Sequence, residues 1–548
     1  MDPKSIVPDA EVGSGSSPPP LTWGVANRLP FLREGSPGED DVRKQRAFSG
    51  SRAYNVVVQL DPEACYRAMR ARDPRFDGRF FVGVSSTGIY CRPVCTVRTP
   101  KRENCRFFSS AAAAESRGYR PCLRCRPELA PGNASVDARH RIAQAAASLI
   151  EDGALNEAGI DGIADRLGVA ARHLRRVFRS EFGVAPVAFA QTQRLLMAKR
   201  LLTDTALPVT DVAFAAGFGS LSRFDALFKQ RYRLSPDQLR KTQKPSAHPD
   251  VLTFELSFRP PYDWASLIGF LGARSVSRVE EVESSSYRRI ARIAQDGRAH
   301  TGWVEVTPHQ RKSVLRVEVS ASLAKTLPAL LSRVKHLMDL SCNPMEIRES
   351  LGPLASLRPG LRVPGAFDGF EIAVRAVLGQ QVSVAAARTL AGRFVAAFGS
   401  PVASPFAALS AAFPAPEGIA GLAVTDISRL GVLPSRARTI IELAGALARG
   451  EVRLDPSVGV TATLERLRSV PGIGEWTAQY IAMRALAWPD AFPHPDLGVM
   501  KALRETSARR VLMAAERWRP WRAYAVMHLW AANGSGGLPA RRFYGSVA

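Results

Sequence analysis

The chain has 548 residues, more than one hydrophobic core organises, so its length predicts three to four domains. Its 46% of hydrophobic and 23% of charged residues exclude a mainly disordered chain. The formal net charge of +24 indicates a polyanionic partner. Nucleic acid fits this better than a membrane surface, because the sequence carries no lipidation signal and no basic amphipathic tail. An arginine-rich proteome would give the same charge balance.

Cysteine usage and hydropathy indicate the compartment. Four of the seven cysteines are closely paired in sequence, which favours reduced, metal-binding thiols over a secreted disulfide framework. The sequence shows no signal-peptide region and no apolar run of transmembrane length. We therefore expect a cytoplasmic protein without a membrane partner. We also expect residues 1–50, which are rich in Ser, Gly and Pro, to form a disordered tail.

Residues 51–130 predict a compact unit of short strands and helices. Asp61 followed by Pro62 is typical of a helix start, and residues 80–84 and 89–91 are typical of strands. Two cysteine pairs lie at the strand ends and on a basic connecting loop, with the spacings C-x3-C and C-x2-C. Such pairs can supply four thiolates to one tetrahedral zinc ion. The four candidate ligands are Cys91, Cys95, Cys122 and Cys125.

Spacing alone favours a purely structural zinc site, but the surrounding residues suggest a further role. A zinc-bound cysteine is a thiolate and therefore a nucleophile, so a zinc thiolate that faces DNA could accept an alkyl group. Alkylation would also remove one negative charge that repels phosphate, and affinity for DNA should then rise. The basic residues near the cysteines in sequence are Arg92, Arg98, Lys101, Arg102, Arg120, Arg124 and Arg126.

Residues 134–245 are helical in pattern and contain an internal repeat. Residues 159–178 and 209–228 share one layout, in which a short helix ends at a glycine, a tight turn follows, and a second helix begins with polar residues. This is the layout of a helix-turn-helix unit, present twice. The alternative, a small helical bundle that binds nothing, is less consistent with two basic units in the same register.

The second half of the chain changes character along its length. Residues 251–340 mix strands and helices, with strand patterns over 251–258 and 314–319 and a helix over 262–271. Residues 341–535 are helical in pattern. Near their middle a helix, a Pro-Gly-x-Gly hairpin and a new helix follow one another.

The hairpin glycines suggest a DNA-backbone contact. Gly472 and Gly474 leave room for backbone N–H groups to approach a phosphate at a helix N-terminus. Asp496 follows in a Pro-rich turn, where it has the residue type of a helix N-cap. Alternatively, its carboxylate stands beside the hairpin and faces the DNA.

The cysteine motifs resemble a known family. The stretches Thr87-Gly-Ile-Tyr-Cys-Arg-Pro-Val-Cys95 and Gly118-Tyr-Arg-Pro-Cys-Leu-Arg-Cys125 are similar to the amino-terminal domain of Ada adaptive-response proteins. The resemblance implies that all four cysteines bind one Zn²⁺ and that Cys91 irreversibly accepts a methyl group from a methylphosphotriester in DNA. It also implies that certain residues lie near the DNA backbone, namely Thr87, Arg98, Arg120 and Arg124.

The resemblance continues through the repeat, which looks like an AraC-type DNA-binding domain. It implies sequence-specific binding to an operator, switched by methylation of Cys91. RNA polymerase is then a candidate further partner. The implied DNA contacts of the two units are Arg172, His173, Arg175, Arg176, Ser220, Ser222 and Arg223.

From residue 251 onward the chain resembles the AlkA type of 3-methyladenine DNA glycosylase, in the helix–hairpin–helix superfamily. The similarity includes residues 260–264, 358–364 and 379–383. It implies that Asp496 is the catalytic aspartate, which either stabilises an oxocarbenium-like sugar or activates water. It implies that Trp476 and Trp530 line the pocket for a flipped base, although a lone Trp is more often a core aromatic.

Sequence differences from related glycosylases limit the reactions that we expect of this chain. Gln381 occupies the place of an apolar wedge residue, which fills the gap left by a flipped base. Lyase members carry a lysine where this chain has Trp476, so we expect no Schiff base and an intact abasic site. Without a C-terminal cysteine cluster we expect no iron–sulfur cluster, and no organic cofactor is indicated. Arg375 is expected to contact phosphate or to face solvent.

Together these features predict a multidomain α+β protein. After the tail we expect a small α/β zinc domain over 51–130 and an all-α double helix-turn-helix domain over 134–245. An α+β, TBP-like subdomain over 250–340 and an all-α helix–hairpin–helix glycosylase domain over 341–540 then follow.

The predicted protein is a nucleoid-associated bacterial monomer that binds double-stranded DNA, both alkylated and at operators. It excises alkylated bases and senses methylphosphotriesters. Two alternatives stay open: a transcription regulator whose glycosylase half is silent, and a glycosylase whose front half is only a zinc-clamped DNA tether.

Overall fold

The computed structural model describes residues 61–131, 141–241, 250–295 and 297–533, all within one compact unit. The predicted tail over residues 1–50 lies outside the described residues, as do parts of the predicted domain boundaries. Across the described ranges, no helix is both long and apolar enough to cross a membrane.

A four-stranded sheet with helices forms the zinc domain. The Asp61 side chain accepts the N–H groups of Glu63 and Ala64, so it caps the first helix as predicted. The strand order is β3-β1-β2-β4, with β4 parallel to β2 and the other pairs antiparallel. The elements are α1 (Pro62–Arg70), β1 (Phe81–Val84), β2 (Ile89–Cys91), β3 (Cys105–Phe108), α2 (Ala111–Ser116) and β4 (Arg120–Pro121).

A run of helices follows, and it confirms the predicted pair of helix-turn-helix units. The long α6 joins the two units and packs against both. The elements are α3 (Arg141–Glu151), α4 (Ala154–Arg166), α5 (Ala171–Phe182), α6 (Pro186–Asp204), α7 (Val209–Ala215), α8 (Leu221–Tyr232) and α9 (Pro236–Lys241).

The next part is a five-stranded antiparallel sheet with two helices. Its strand order is β5-β9-β8-β7-β6. The two strands and the helix named from the sequence are present, but β6, β7 and β8 were not predicted. The elements are β5 (Val251–Ser257), α10 (Trp264–Gly272), β6 (Glu280–Val282), β7 (Tyr287–Gln295), β8 (Arg298–Pro308), β9 (Val314–Ser320) and α11 (Leu327–Leu337).

The remaining chain is a helical array with one small β-ribbon, as the periodicity predicted. The predicted helix–hairpin–helix is α19, a Gly-containing turn and α20. The elements are α12 (Pro344–Leu351), α13 (Pro353–Ser356), α14 (Gly369–Leu378), α15 (Val384–Phe398), β10 (Ser400–Pro401), β11 (Ala411–Ala412), α16 (Pro416–Ala420), α17 (Val424–Ser428), α18 (Pro434–Ala448), α19 (Val460–Ser469), α20 (Glu475–Arg484), α21 (Leu497–Ala502), α22 (Ala508–Ala514) and α23 (Arg522–Asn533).

The second helix-turn-helix unit and the five-stranded sheet share one hydrophobic core. Leu201 and Phe228 of the helical unit belong to the same buried cluster as Phe254 and Val317 of the sheet. All four side chains are fully buried. Separating these two parts would expose apolar surface, so the second helical unit is packed firmly against the sheet rather than tethered to it.

Candidate zinc centre, DNA-binding helices and base pocket

The four predicted zinc ligands meet at one point. Strand β2 ends at Cys91 and pairs in parallel with β4, which leads directly into Cys122. The Cys122 N–H donates to the Tyr90 carbonyl at 3.0 Å and thereby holds the second cysteine pair against β2. The Sγ atoms of Cys91, Cys95, Cys122 and Cys125 lie within 4.8 Å of one another.

The donor set fits a tetrahedral zinc ion. With Zn–S bonds of about 2.3 Å, the sulfur atoms of such a site stand about 3.8 Å apart, which lies within the 4.8 Å that encloses this cluster. Cys91 is 7% exposed, much like Cys95 at 8% and Cys122 at 6%. Accessibility therefore does not single out Cys91 as the reactive thiol.

Arg92, which follows Cys91, points inward and does not add to the basic surface that the sequence indicated. Its guanidinium forms a buried ion pair with Asp77, and its Nη2 donates to the Ser257 hydroxyl at 3.2 Å. Its backbone N–H donates to Cys125 Sγ at 3.4 Å. One residue thus contacts both a zinc ligand and strand β5.

A second buried ionic cluster joins the zinc domain to α6. Arg126 donates to both carboxylate oxygens of Asp204, at 2.6 and 2.7 Å. Lys199 donates to Glu128 at 2.6 Å. Burial opposes ionisation of Glu128, but Lys199 and Arg126 lower the pKa of its carboxyl. Loss of one partner would leave a buried charge unpaired, which makes this junction costly to break.

The first helix-turn-helix unit presents a basic helix. Its turn contains Gly168, whose φ of +66° favours glycine. On α5, Arg172, Arg175 and Arg176 are exposed. His173 is half-buried, and its Nδ1 lies 3.1 Å from Arg176 Nη2. This face can approach DNA without rearrangement of the helices.

The second unit presents a less basic helix. Its turn contains Gly217, at a φ of +87°. The Ser220 hydroxyl accepts the Arg223 N–H at 3.2 Å and so caps α8, while Ser222 and Arg223 are exposed. In the cap the Ser220 hydroxyl acts as an acceptor, so its own proton remains available for donation.

Asp496 is held by three N–H donors. Its Oδ1 accepts the Val499 N–H at 2.9 Å, which confirms the predicted helix cap at the start of α21. The indole N–H of Trp530 donates to the same oxygen at 2.8 Å, and the indole N–H of Trp476 donates to Oδ2 at 2.8 Å. The structure therefore brings together three residues that were predicted from separate stretches of sequence.

Two further aromatic residues lie beside these tryptophans. The Tyr480 ring stacks on Trp476 with centroids 5.2 Å apart and planes at 10°, and Phe270 stacks on Trp530 at 6.1 Å and 15°. Arg484 Nη1 donates to the Tyr480 hydroxyl at 2.8 Å. Sequence analysis missed both rings. Tyr480 could have been found, because it lies four residues after Trp476 on the same helix face, whereas nothing in the sequence connected Phe270 to the site.

Comparisons with known proteins match this architecture in chain order. Models for the metal binding domain of Ada and for a helix-turn-helix domain match residues 64–128 and 163–242. Models for the AlkA N-terminal domain and the HhH-GPD superfamily of base excision DNA repair proteins match residues 253–368 and 374–517. A probable bifunctional transcriptional activator/DNA repair enzyme AlkA of Mycobacterium tuberculosis is 39% identical over 485 residues, which are 86% of this chain and 96% of the relative.

The chain belongs to this AlkA family of bifunctional transcriptional activators and DNA repair enzymes. Two other relatives each match one part. DNA-3-methyladenine glycosylase 2 of Escherichia coli is 36% identical over 281 residues, which are 51% of this chain and 98% of that protein. The bifunctional transcriptional activator/DNA repair enzyme Ada of Escherichia coli is 34% identical over 191 residues, which are 34% of this chain and 50% of that protein.

The zinc centre and the predicted fold class agree with the AlkA-family assignment. The Ada metal-binding match spans all four clustered cysteines, and together they support one Zn²⁺. The order of zinc domain, helix-turn-helix domain, α+β subdomain and helix–hairpin–helix domain is the order predicted from the sequence.

One expectation for this AlkA-family chain is wrong. Arg375 neither contacts solvent freely nor faces a phosphate. Its Nη1 pairs with Glu280 at 3.0 Å and with Glu371 at 2.8 Å, and Arg289 pairs with Glu371 at 2.7 Å. The Arg375 side chain is 13% exposed, and the two carboxylates are 3% and 2% exposed. Buried carboxylates need cationic partners, and Glu280 is too distant in sequence for the pairing to be anticipated.

Arginines lie close to two of the aromatic rings in this AlkA-family site. The Arg274 guanidinium lies 3.8 Å from the centre of the Phe270 ring. Burial opposes ionisation of Tyr480, yet Arg484, Arg274 and Arg375 lower the pKa of its phenol below the ordinary value. The positive charges of these arginines therefore outweigh the effect of burial on the phenol.

The two hairpin glycines differ in whether a side chain would fit at their positions. Gly472 has a φ of +89°, and an added Cβ would lie 2.1 Å from Thr439 Oγ1, so a larger residue does not fit. Gly474 precedes α20, is exposed, and has open space where a Cβ would stand. Gln381, the predicted wedge, is exposed at a φ of +53°, an uncommon value for a residue with a side chain.

The residues predicted near DNA in the zinc domain have differing exposure. Thr87, Arg98 and Arg124 are exposed, whereas Arg120 is half-buried at the start of β4. Their exposure permits a DNA contact, and the contacts themselves stay predictions.

Proposed function

We propose that the chain releases alkylated purines of the 3-methyladenine class from DNA by monofunctional hydrolysis. The observation that carries the proposal is the Asp496 carboxylate held between the indole N–H groups of Trp476 and Trp530 in an aromatic pocket. An alkylated purine is cationic, so stacking on electron-rich rings favours it over a neutral base. The base would enter the pocket after flipping out of the duplex.

The proposed reaction breaks the bond between C1′ and the base nitrogen. The bonding electrons leave with the base and neutralise its positive charge, and the sugar becomes oxocarbenium-like. Water then adds to C1′ and loses a proton. Three donors to Asp496 favour electrostatic stabilisation of the sugar over proton abstraction, because they occupy lone pairs that a general base would use. With Trp476 at the position of the lyase lysine, an intact abasic site is the product.

The Asp496→Asn variant tests this proposal. Release of 3-methyladenine from methylated duplex DNA, measured by chromatography under single-turnover conditions, should fall by about 10²–10³-fold. Asp237→Asn is the matched control, because Asp237 is exposed on α9. Absence of release by the unmodified protein would instead support a transcription regulator with a silent glycosylase half.

For the zinc domain, the proposed activity is a single methyl transfer from a DNA methylphosphotriester to Cys91. Bound Zn²⁺ would hold the cysteines as thiolates. Cys91 Sγ attacks the methyl carbon, an S–C bond forms, and the C–O bond breaks to leave a phosphodiester anion. The site then carries one negative charge fewer, and its repulsion of the DNA backbone weakens. The Ada-type match and the meeting of four cysteines support this step.

Mass spectrometry of the protein after incubation with methylated DNA tests the transfer. One added methyl group should map to the peptide that contains Cys91, and the Cys91→Ser variant should gain none. Affinity for an unmethylated operator fragment, measured across a salt series, should be higher for the methylated protein. An unmodified Cys91 would support a zinc-clamped tether that only binds DNA.

Further roles follow from the same proposal. We propose the domain boundaries 51–130, 134–245, 250–340 and 341–540, action as a monomer at the nucleoid, and contact with RNA polymerase at regulated promoters. Gln381 would be the wedge residue. The proposed DNA contacts are Gly472, Gly474, Thr87, Arg98, Arg120 and Arg124 for the backbone, and Arg172, His173, Arg175, Arg176, Ser220, Ser222 and Arg223 for the operator.

A further inference from the structure

The segment between α14 and α15 carries the proposed wedge at its tip. Gln381, Val382 and Val384 are exposed, and the two valines keep 37% and 44% of their surface in contact with solvent. Exposed apolar side chains on this loop and at the first position of α15 suit insertion between bases. The loop ends where the Ser383 hydroxyl accepts the Ala386 N–H at 3.2 Å and caps α15.

This loop is strained at the wedge residue itself. Gln381 lies in the left-handed region, with a φ of +53°. The left-handed region is unfavourable for a residue with a side chain, so the conformation persists only where neighbouring contacts enforce it. Free in solution, an unsupported loop of this kind would sample other conformations and present the wedge poorly.

Gln380 supplies the supporting contact. Its Nε2 donates to the Gly472 carbonyl at 2.9 Å and to Thr477 Oγ1 at 3.0 Å. A carbonyl oxygen only accepts, so the amide must present its nitrogen to the hairpin. The hairpin is itself fixed, because Thr439 Oγ1 donates to the Pro471 carbonyl at 2.7 Å. One side chain therefore connects the loop that would enter the duplex with the hairpin that would hold the backbone.

We propose that Gln380 is a positioning residue that sets the wedge loop in register with the hairpin. This inference rests on the proposed glycosylase function. Gln380 would not touch the flipped base. It makes backbone capture at the hairpin and insertion of Gln381 a single event, so that the gap left by the base is filled as soon as it opens.

Two duplexes test this role, each with one 7-methylguanine, a cationic alkylated purine. In the first the lesion faces cytosine, and in the second it faces an abasic-site analogue, so no partner base needs support from a wedge. Gln380→Met keeps the length of the side chain but loses both hydrogen bonds. Single-turnover release of the base should fall about tenfold on the first duplex and stay unchanged on the second.

Three further variants exclude a general structural effect. Gln380→Glu places a carboxylate against the Gly472 carbonyl and should give the same duplex-selective loss. Gln381→Ala should also give it, and the Gln380→Met/Gln381→Ala double variant should lose little more than either single variant, because both act on one step. Thermal unfolding of each variant should match the unmodified protein.

The outcomes separate the two proposals. Equal loss of Gln380→Met activity on both duplexes, or strictly multiplicative losses in the double variant, would overturn the positioning role. No release by the unmodified protein from either duplex, together with no release of 3-methyladenine from methylated DNA, would overturn the glycosylase function itself.

Discussion

The zinc centre and the base pocket stabilise a negatively charged side chain by different means. Each holds an anionic group, at Cys91 and at Asp496, partly buried in a basic protein. At Cys91 the neighbours within reach are three other thiols, so a metal cation must balance the negative charge. At Asp496 the protein supplies three N–H donors of its own. The first site therefore depends on an added ion, whereas the second is assembled by folding alone.

This difference fits the two proposed reactions. A thiolate that accepts a methyl group is consumed, and its change of charge is the signal. A carboxylate that stabilises a transition state returns unchanged after each turnover, so it benefits from a fixed orientation. Both sites are nevertheless supported by a buried arginine, Arg92 with Asp77 at the first and Arg375 with Glu280 at the second.

Removal of zinc should produce the largest difference between the activities of the two sites. Chelation under reducing conditions should abolish methyl uptake at Cys91, because structural zinc contributes about 10–16 kcal/mol of binding free energy in small zinc domains. Release of 3-methyladenine should largely persist, since Asp496 and its donors need no metal. Parallel measurement of both activities checks this, with re-addition of Zn²⁺ as the control. Equal loss of both activities would contradict independent sites.

Replacement of the buried Arg375 should have the next largest effect, a loss of folding stability. Arg375→Met leaves Glu280 and Glu371 short of a cation, and loss of one partner of a buried ion pair costs about 3–5 kcal/mol. The free energy of unfolding from denaturant titration should fall by about that amount. Arg388→Met is the matched control, because Arg388 is exposed on α15. A loss in the control variant as large as in Arg375→Met would contradict the assignment.

Arg375 also shows which kind of contact could not be predicted from the sequence. Cysteine spacing and strand ends sufficed to predict the zinc site, because its ligands lie within one small domain. Asp496 was suggested by a local Pro-rich turn, whereas its two tryptophans were predicted only through the resemblance to AlkA-type glycosylases. The partner of Arg375 is Glu280, on a strand that was not predicted, and Phe270 reaches the pocket from the α+β subdomain. Such long-range pairings depend on how sheets and helices pack, which local patterns do not encode.

The shared core between the second helix-turn-helix unit and the five-stranded sheet was also not predicted, because strand β7 of that sheet was not recognised in the sequence. Strand β7 carries an arginine at three of its positions, among them Arg288 and Arg289, which obscures the alternation expected of a half-buried strand. Arg289 is 3% exposed because it pairs with Glu371. The Arg289 charge makes the strand hard to recognise from the sequence, and only the folded structure shows that Glu371 neutralises it.

Stability on the sensor side should depend on pH. Burial raises the pKa of Glu115 to about 7 from an ordinary 4.5, although Thr192 and Tyr90 donate to it and Arg231 and Lys199 lie near. A carboxyl whose pKa is raised by folding contributes stability below about pH 4.5, and that stability is lost as the pH rises through 7.

The Glu115→Gln variant isolates this contribution, which is on the order of 3 kcal/mol. Between about pH 5 and pH 8, the free energy of unfolding of the unmodified protein should fall more steeply than that of the variant. Parallel curves would mean that Glu115 does not titrate in this range. Base release measured on the same samples should show no matching step, because Glu115 supports the zinc domain and α6.

The smallest expected effect concerns the indole donors. Trp530→Phe keeps an aromatic ring for stacking but removes one N–H from Asp496 Oδ1, and Trp476→Phe does the same at Oδ2. A hydrogen bond to a charged group contributes about 1.5–3 kcal/mol, so each variant should release 3-methyladenine about 10- to 100-fold more slowly. Affinity for an alkylated duplex should change little, because the ring that contacts the base remains.

The double variant makes this test decisive. With both indoles replaced, Asp496 keeps only the Val499 N–H, so its carboxylate can rotate and the loss should exceed that of either single variant. Methyl uptake at Cys91 in the same variants serves as the control, since that site shares no hydrogen bond with the pocket. Full activity in Trp530→Phe and Trp476→Phe alike would show that the carboxylate is oriented by its helix cap alone. The two sites would then differ less than their geometry indicates, since neither would rely on side-chain donors from the protein.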